Sequence, residues 1–398
     1  MTGFLDRRRA SLLMEREGLS ALVFCQPESI TYASGAFPGV ATFWRRTGAA
    51  FLVVPADEHA PLAAIVGDLQ AKAFAQSSGI ADVRGHRIWV ETDHYPLDPG
   101  KPKRSPRPGQ YSLRTSLNLL HDALLERGIT SGRIGLELGF VPAADFPAFQ
   151  ALPFDWVDAT RLVERLRAIK HPDEIKRLRR AASYASAGLQ QLLSEIKVDM
   201  TAPEMTELWA AAAKDEAIRR GETPAQASWT YIAVGGDGFA PGAAAQMGDL
   251  IKIDVGCVVD GYSSDGARTV VLGKPSPAAQ KIYDALRRAF DAGLACFEPG
   301  RPLAEIYGTV ANTMWDQGYE TYGRGHFGHG VGASIWSEEW PFIAQDADAV
   351  LEPNMVMAFE TPWYINGLGG FIIEDQLLVT DSGYEVMSPL SRDLVRVG

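Results

Sequence analysis

Asp254, Asp265, His329, Glu360 and Glu374 are four carboxylates and one imidazole in the last third of a 398-residue chain. Each acid sits in or beside an apolar, strand-like run: Ile251-Lys252-Ile253-Asp254-Val255, Asp265-Gly266-Ala267-Arg268-Thr269-Val270-Val271, Met355-Val356-Met357-Ala358-Phe359-Glu360 and Phe371-Ile372-Ile373-Glu374-Asp375. Burying that much negative charge without a partner is strongly unfavourable. A cation, or a pair of them, is the simplest way to offset it. Hard oxygen donors with one imidazole suit Mn, Fe, Co or Zn better than Cu. The competing reading is four unrelated acids facing solvent on strand edges.

The spacing favours convergence. Asp254 and Asp265 are equidistant from Val259/Asp260, so a hairpin turning there sets them directly opposite each other. A turn at Asp260-Gly261 needs a bulge or a slip of one position to restore nearly the same pairing. Glu360 and Glu374 are equidistant from Gly367, inside the loop Ile365-Asn366-Gly367-Leu368-Gly369-Gly370, and also fall opposite each other across a hairpin. Opposed residues share one face of a sheet, with Cβ atoms roughly 5 Å apart, where like charges repel. Two such acidic pairs call for a shared counter-ion. His329 lies in Gly328-His329-Gly330-Val331-Gly332, where glycines allow close approach of the backbone.

The elements that must position these groups fall into two parts. Residues 1–165 alternate strand-like runs (Ala21–Phe24, Ala49–Val54, Ile134–Glu137) with helical patterns (Leu5–Glu17, Leu113–Gly128), an α/β arrangement. The stretch 95–110 carries five prolines and four basic residues and reads as a loop, either covering something or a plain surface excursion. His171-Pro172 is a break followed by a helix start. Residues 166–398 are expected to be α+β, with helices over 202–220, 277–297 and 302–317 flanking antiparallel pairs. A net charge of −11 argues against nucleic acid as a general partner. Three scattered cysteines fit a reducing compartment and give no disulfide framework. No apolar run has the length of a membrane span or a signal-peptide core. A cytoplasmic enzyme is the expectation.

Several motifs in order resemble the pita-bread metallohydrolases: methionine aminopeptidase, aminopeptidase P, prolidase and creatinase. Arg167-Ala168-Ile169-Lys170 through Glu174-Ile175 is similar to the family's entry helix. Gly248-Asp249-Leu250-Ile251-Lys252-Ile253-Asp254, Gly261-Tyr262-Ser263-Ser264-Asp265-Gly266-Ala267-Arg268-Thr269 and Gly328-His329-Gly330-Val331-Gly332 resemble its ligand-bearing motifs. Ile30-Thr31-Tyr32-Ala33-Ser34-Gly35 resembles the N-terminal domain of the prolidase, aminopeptidase P and creatinase branch. The resemblance implies an α/β creatinase-type domain over 1–165 and an α+β pita-bread domain over 166–398. It implies two divalent metal ions (Mn, Zn, Co or Fe) on Asp254, Asp265, His329, Glu360 and Glu374. It also implies Glu360 as the catalytic proton shuttle, hydrolysis of a small peptide or amide, and a homodimer.

The chain departs from the peptidase pattern in three places. Val234–Gly242 holds no histidine where peptidases carry one before the Gly248-Asp249 strand. Trp336 stands where a second histidine is usual, and Ile372 where prolyl peptidases often have arginine. Those histidines steady the tetrahedral intermediate and the leaving group, and loss of one such donor costs about 2.7–4 kcal/mol. His326 is a substitute hydrogen-bond donor, its alternative being a loop histidine bonded to backbone. Trp336, with Trp340, Phe342 and Trp363, offers an aromatic wall against substrate, or core packing. Trp44, Arg45 and Arg46 offer a contact to a neighbour's site in a dimer, or solvated surface. Lys170 and Arg268 read as salt-bridge residues near the site. The leading expectation is an Xaa-Pro aminopeptidase- or dipeptidase-like hydrolase. The alternative is a non-peptidase C–N hydrolase of small nitrogenous compounds, creatinase- or ectoine-hydrolase-like. A protein-binding module and a DMSP-lyase-like enzyme rank below these. The intact ligands speak against the first, and Gly256, where the lyases carry an acid, against the second.

Overall fold

The computed structural model describes residues 3–88, 111–239, 244–334, 338–388 and 390–398. Trp336 and the proline-rich stretch 95–110 lie outside the described residues. The chain divides into two compact units, Met1–Arg167 and Ala168–Gly398.

In the first unit a six-stranded mixed sheet forms among the described residues, in the order β4-β3-β2-β1-β5-β6. Its strands are β1 (Ala21–Phe24), β2 (Phe51–Pro55), β3 (Ala63–Gly67), β4 (Asp82–His86), β5 (Arg133–Leu136) and β6 (Asp155–Asp158). β1 to β3 are buried at every position, as expected of apolar runs covered on both faces. The helices are α1 (Arg7–Glu17), α2 (Pro27–Ser34), α3 (Asp68–Ser78), α4 (Leu113–Leu125), α5 (Phe146–Gln150) and α6 (Thr160–Ala168). Asp6 caps α1 by accepting from the Arg9 N–H, and Gly18 closes it with φ 65°, a conformation glycine adopts without strain. Leu117, Leu120 and Leu124 of α4 pack into one core with Val23, Val53 and Ile65. Arg45 pairs with Glu28 at 2.7 Å, and Trp44 is 45% exposed.

The second unit opens with α7 (Pro172–Glu195) and α8 (Ala202–Arg219). Each begins with a capping box, His171 with Glu174 and Thr201 with Glu204. There follow β7 (Ala227–Thr230), β8 (Ala233–Val234), β9 (Leu250–Val259), β10 (Tyr262–Ser263) and β11 (Gly266–Leu272). α9 (Pro277–Leu294) and α10 (Leu303–Asp316) come next. The chain ends with β12 (His326–Gly330), β13 (Glu339–Ala344), β14 (Val356–Glu360), β15 (Trp363–Ile365), β16 (Gly369–Phe371), β17 (Ile373–Thr380), β18 (Gly383–Val386) and β19 (Val395–Val397). The main path of the sheet runs β10-β9-β11-β17-β14-β12-β13.

Strand alternation decides which side chains meet the helices. Ile251, Ile253, Val255 and Cys257 of β9 pack with Tyr184, Leu189, Met205 and Trp209 of α7 and α8. Met357 and Phe359 of β14, with Ile373 and Leu377 of β17, pack with Leu286, Phe290, Ile306 and Val310 of α9 and α10. The residues between them, Asp254, Glu360 and Glu374, are therefore turned to the sheet's other face.

Candidate metal centre

Ladder register places three of the acids in one row. Asp254 pairs with Ala267, Ala267 with Glu374, and Glu374 with Glu360, so the row crosses β9, β11, β17 and β14. A second row lies two residues along: Gln376 pairs with Ala358, and Ala358 with His329. Asp265 joins this row, since its N–H donates to Gln376 Oε1 at 3.1 Å. The small side chains of Ala267 and Ala358 separate the larger polar ones, which leaves space above the sheet.

Glu360 and Glu374 stand directly opposite, as their distance from Gly367 requires. Asp254 and Asp265 do not. The hairpin turns on Asp260 (φ 50°) and Gly261 (φ 81°), a two-residue loop that pairs Val259 with Tyr262. Positive φ at both central residues is the primed turn that suits strand twist. With that register kept into β11, Asp254 faces Ala267, and Asp265 is its diagonal neighbour on the same face.

Candidate ligand atoms of Asp265, His329 and Glu374 all lie within 4.8 Å of one another. His329 Nε2 is 3.4 Å from Asp265 Oδ2. Its Nδ1 is 3.0 Å from the Gly330 carbonyl, which can only accept, so Nδ1 carries the proton and Nε2 presents a lone pair. Burial pulls His329 down to about 4, which keeps it neutral at pH 7. Asp254 Oδ2 takes a hydrogen bond from Lys252 Nζ at 3.2 Å, and Glu360 Oε1 takes one from Arg324 Nη2 at 3.1 Å. His326 Nδ1 lies 3.7 Å from the same Glu360 oxygen and accepts from the Gly328 N–H at 3.3 Å. In a regular strand, residues 326 and 329 would point to opposite faces. A register shift and Gly328 at φ 144° bring their rings to 5.8 Å instead. A Cβ at Gly328 would sit 2.2 Å from the Ala358 carbonyl oxygen.

All five predicted ligand residues line one cavity of about 320 Å³. Its described wall carries five acids (these four and Glu338) against two cations, Lys252 and Arg324. Burial pushes Glu360 up to about 7, with Asp254 and Glu338 adding repulsion that Arg324 opposes. Burial, then repulsion from Asp265, Asp254 and Glu360, holds Glu374 well above the usual carboxylate range. Burial raises Asp254 too, against Lys252. Four crowded carboxylates and a neutral imidazole with a free lone pair are a donor set that fits divalent cations.

Lys252, Arg324, Glu338 and the aromatic wall were not singled out as site residues in the sequence. That wall consists of Trp229, Tyr231, Phe239 and Tyr364. Trp340 and Trp363 pack instead at the edge of the core, and Phe342 packs on the His326 ring at 5.4 Å. Lys252 had a readable signal: a lysine inside an apolar run, two residues before Asp254 and so on its face. Lys170 and Arg268 form the ion pairs expected of them, with Glu339 at 3.7 Å and Asp375 at 2.6 Å.

Metal-free protein is expected to lose stability as pH rises above about 6.5. A carboxyl with a raised folded pKa stabilises the fold least once it ionises, so Glu360 destabilises progressively between 4.5 and about 7, and Glu374, held well above the usual carboxylate range, adds to the loss as pH rises. His329, lowered from 6.5 to about 4, works oppositely, costing stability as pH falls through that range. The two effects offset each other below about 6.5, and only the acids act above it. Thermal unfolding of chelator-treated protein at about pH 6.5 and 8 checks this. The melting temperature should fall across the interval, and saturating Mn²⁺ should remove the trend.

A two-unit chain with acids and an imidazole on one face of a pita-bread sheet defines a metallohydrolase architecture. Residues 176–381 match metallopeptidase family M24, and residues 7–169 match the creatinase/prolidase N-terminal domain. The chain belongs to metallopeptidase family M24 and is a hydrolase. The uncharacterized peptidase YqhT of Bacillus subtilis (strain 168) is 30% identical over 271 residues, 66% of this chain and 74% of that protein. Among solved structures, the Xaa-Pro dipeptidase from Bacillus anthracis superposes with a TM-score of 0.78 at 23% identity, covering 98% of this chain and 99% of that one. The dipeptidase PepE from Mycobacterium ulcerans gives 0.77 at 24% identity, covering 99% and 100%. No helix among the described residues is long and apolar enough to cross a membrane.

Proposed function

We propose that this chain is a dinuclear metal-dependent hydrolase of a small peptide or peptide-like amide, of the Xaa-Pro aminopeptidase or dipeptidase type. The observation that carries the reading is the placement of Asp254, Asp265, His329, Glu360 and Glu374 in two adjacent rows on one face of the sheet, around one cavity. These five residues would hold two divalent ions, Mn, Fe, Co or Zn. When bound, such ions polarise a carbonyl and lower the pKa of water so that hydroxide is available near neutral pH. Glu360 takes the proton of the attacking water and returns it to the leaving nitrogen. Arg324 holds the Glu360 carboxylate in place, and His326 packs beside it as a further donor through Nε2. Trp336 contributes to substrate binding. The resemblance to the prolidase branch supports a cytoplasmic homodimer.

A second reading, a C–N hydrolase of the creatinase or ectoine-hydrolase kind, is favoured by the absence of histidine from 234–242 and by the two cations in the wall. The DMSP-lyase alternative loses ground further. A Cβ at position 256 would lie 2.3 Å from both Trp229 and the Ser264 carbonyl, so an acid there has no room. Mn²⁺-loaded protein should turn over Xaa-Pro dipeptides or tripeptides, and elemental analysis should find about two ions per chain. Cleavage of creatine or ectoine alone would sink the peptidase reading. Protein that neither retains a transition metal nor gains activity with Mn, Co, Fe or Zn would sink the hydrolytic site itself.

A further inference from the structure

Lys252 stands on the same face of β9 as Asp254. It is 3% exposed, and among the described residues its ammonium reaches one acceptor, Asp254 Oδ2 at 3.2 Å. An ammonium has three donors, so two remain to be satisfied. The rings of Tyr231, Phe239 and Tyr364 surround Nζ at 5.9, 5.7 and 5.5 Å, within reach of cation–π attraction. Arg324 is similarly under-used. Its Nη2 donates to Glu360 Oε1 and its Nε to the His326 carbonyl, while Nη1 has no acceptor among the described residues. Both cations line the same cavity and both act on Asp254 and Glu360.

Those two acids are ones the proposed metal ions would draw on. Once their charge is shared with cations, a buried ammonium and a guanidinium are left short of negative charge, a state burial penalises. A negatively charged group on the substrate supplies it. We propose that Lys252, together with Arg324, anchors a carboxylate of the substrate, so that the site selects small amides bearing a free carboxylate. This deepens the hydrolase reading and rests on it. The apolar part of the substrate packs on Tyr231, Phe239 and Tyr364, and Glu338 at the exposed rim repels the anion toward the cationic wall.

The test is a binding measurement that needs no turnover. Isobutyrate and isobutyramide have nearly the same shape and differ in charge. Calorimetric titration of the Mn²⁺-saturated full chain should show isobutyrate binding about ten-fold tighter or more. Lys252→Met, with its Mn²⁺ content verified as equal, should erase that preference, while Lys252→Arg keeps much of it and Arg324→Gln reduces it several-fold. Equal binding of the two compounds by the unmodified protein overturns the proposal. So does a carboxylate preference that survives in Lys252→Met, since the metal ions alone would then account for it. Should Lys252→Met fail to fold, the unmodified protein and Arg324→Gln decide. A Lys252-dependent preference in protein that leaves Xaa-Pro peptides uncut sinks the peptidase reading alone. Xaa-Pro cleavage without the preference sinks this proposal alone.

Discussion

Glu360→Gln is expected to lower kcat by about a thousand-fold or more while the protein stays folded. The substitution keeps the size of the side chain and an oxygen that can accept from Arg324 Nη2, so the local packing survives. What it removes is the site at which a proton can be taken and returned. It also removes one of two like charges facing each other across β14 and β17. Relief of that repulsion should leave metal-free Glu360→Gln at least as stable as the unmodified protein at pH 8. The amide is a poorer metal ligand than the carboxylate, so rates belong at saturating Mn²⁺, with bound metal measured on the same samples. Kinetics and thermal unfolding together separate the possibilities. A large fall in kcat with an unchanged or higher melting temperature supports the proton role. Near-normal turnover removes it.

The row of acids across β17 and β14 was legible because a hairpin's register follows from its centre. Gly367 lies midway between Glu360 and Glu374, and the inner pairing of Trp363 with Phe371 and Ile365 with Gly369 keeps that register. The first hairpin was less legible because two neighbouring turns competed, Val259-Asp260 and Asp260-Gly261. The second suits the positive φ of a primed turn. The shift that it makes is even, so Asp254 and Asp265 keep a common face but lose direct opposition. His326 was the harder residue. Simple alternation turns it away from His329, and only the irregularity at Gly328 reverses that. The aromatic wall could not be read from the motif region, because Trp229, Tyr231 and Phe239 precede β9 and meet the site only through tertiary folding.

Arg268→Met should destabilise the protein by about 3–5 kcal/mol and loosen the metal centre together with it. Arg268 is 2% exposed, and its guanidinium is the hub joining β11 to β17 and to the C-terminal segment. It donates to Asp375 Oδ1 at 2.6 Å, to the Ser391 carbonyl at 2.7 Å and to the Leu390 carbonyl at 3.0 Å. It also donates to the carbonyl of Glu374, the residue whose carboxylate belongs to the metal cluster. Methionine fills the volume of the stem but removes the guanidinium's hydrogen bonds to those carbonyls. Asp375, 1% exposed, is left with Arg392 as its ion-pair partner among the described residues. An isolated surface ion pair of the same length would cost about 1 kcal/mol or less, so the magnitude separates a buried hub from an ordinary salt bridge. Because the lost bonds pin the Glu374 backbone, the affinity for Mn²⁺ should fall along with the unfolding free energy. Denaturant melts with and without Mn²⁺ measure both effects. A loss under about 1 kcal/mol with unchanged metal affinity would mean that ladder pairing of β11 with β17 holds Glu374 by itself.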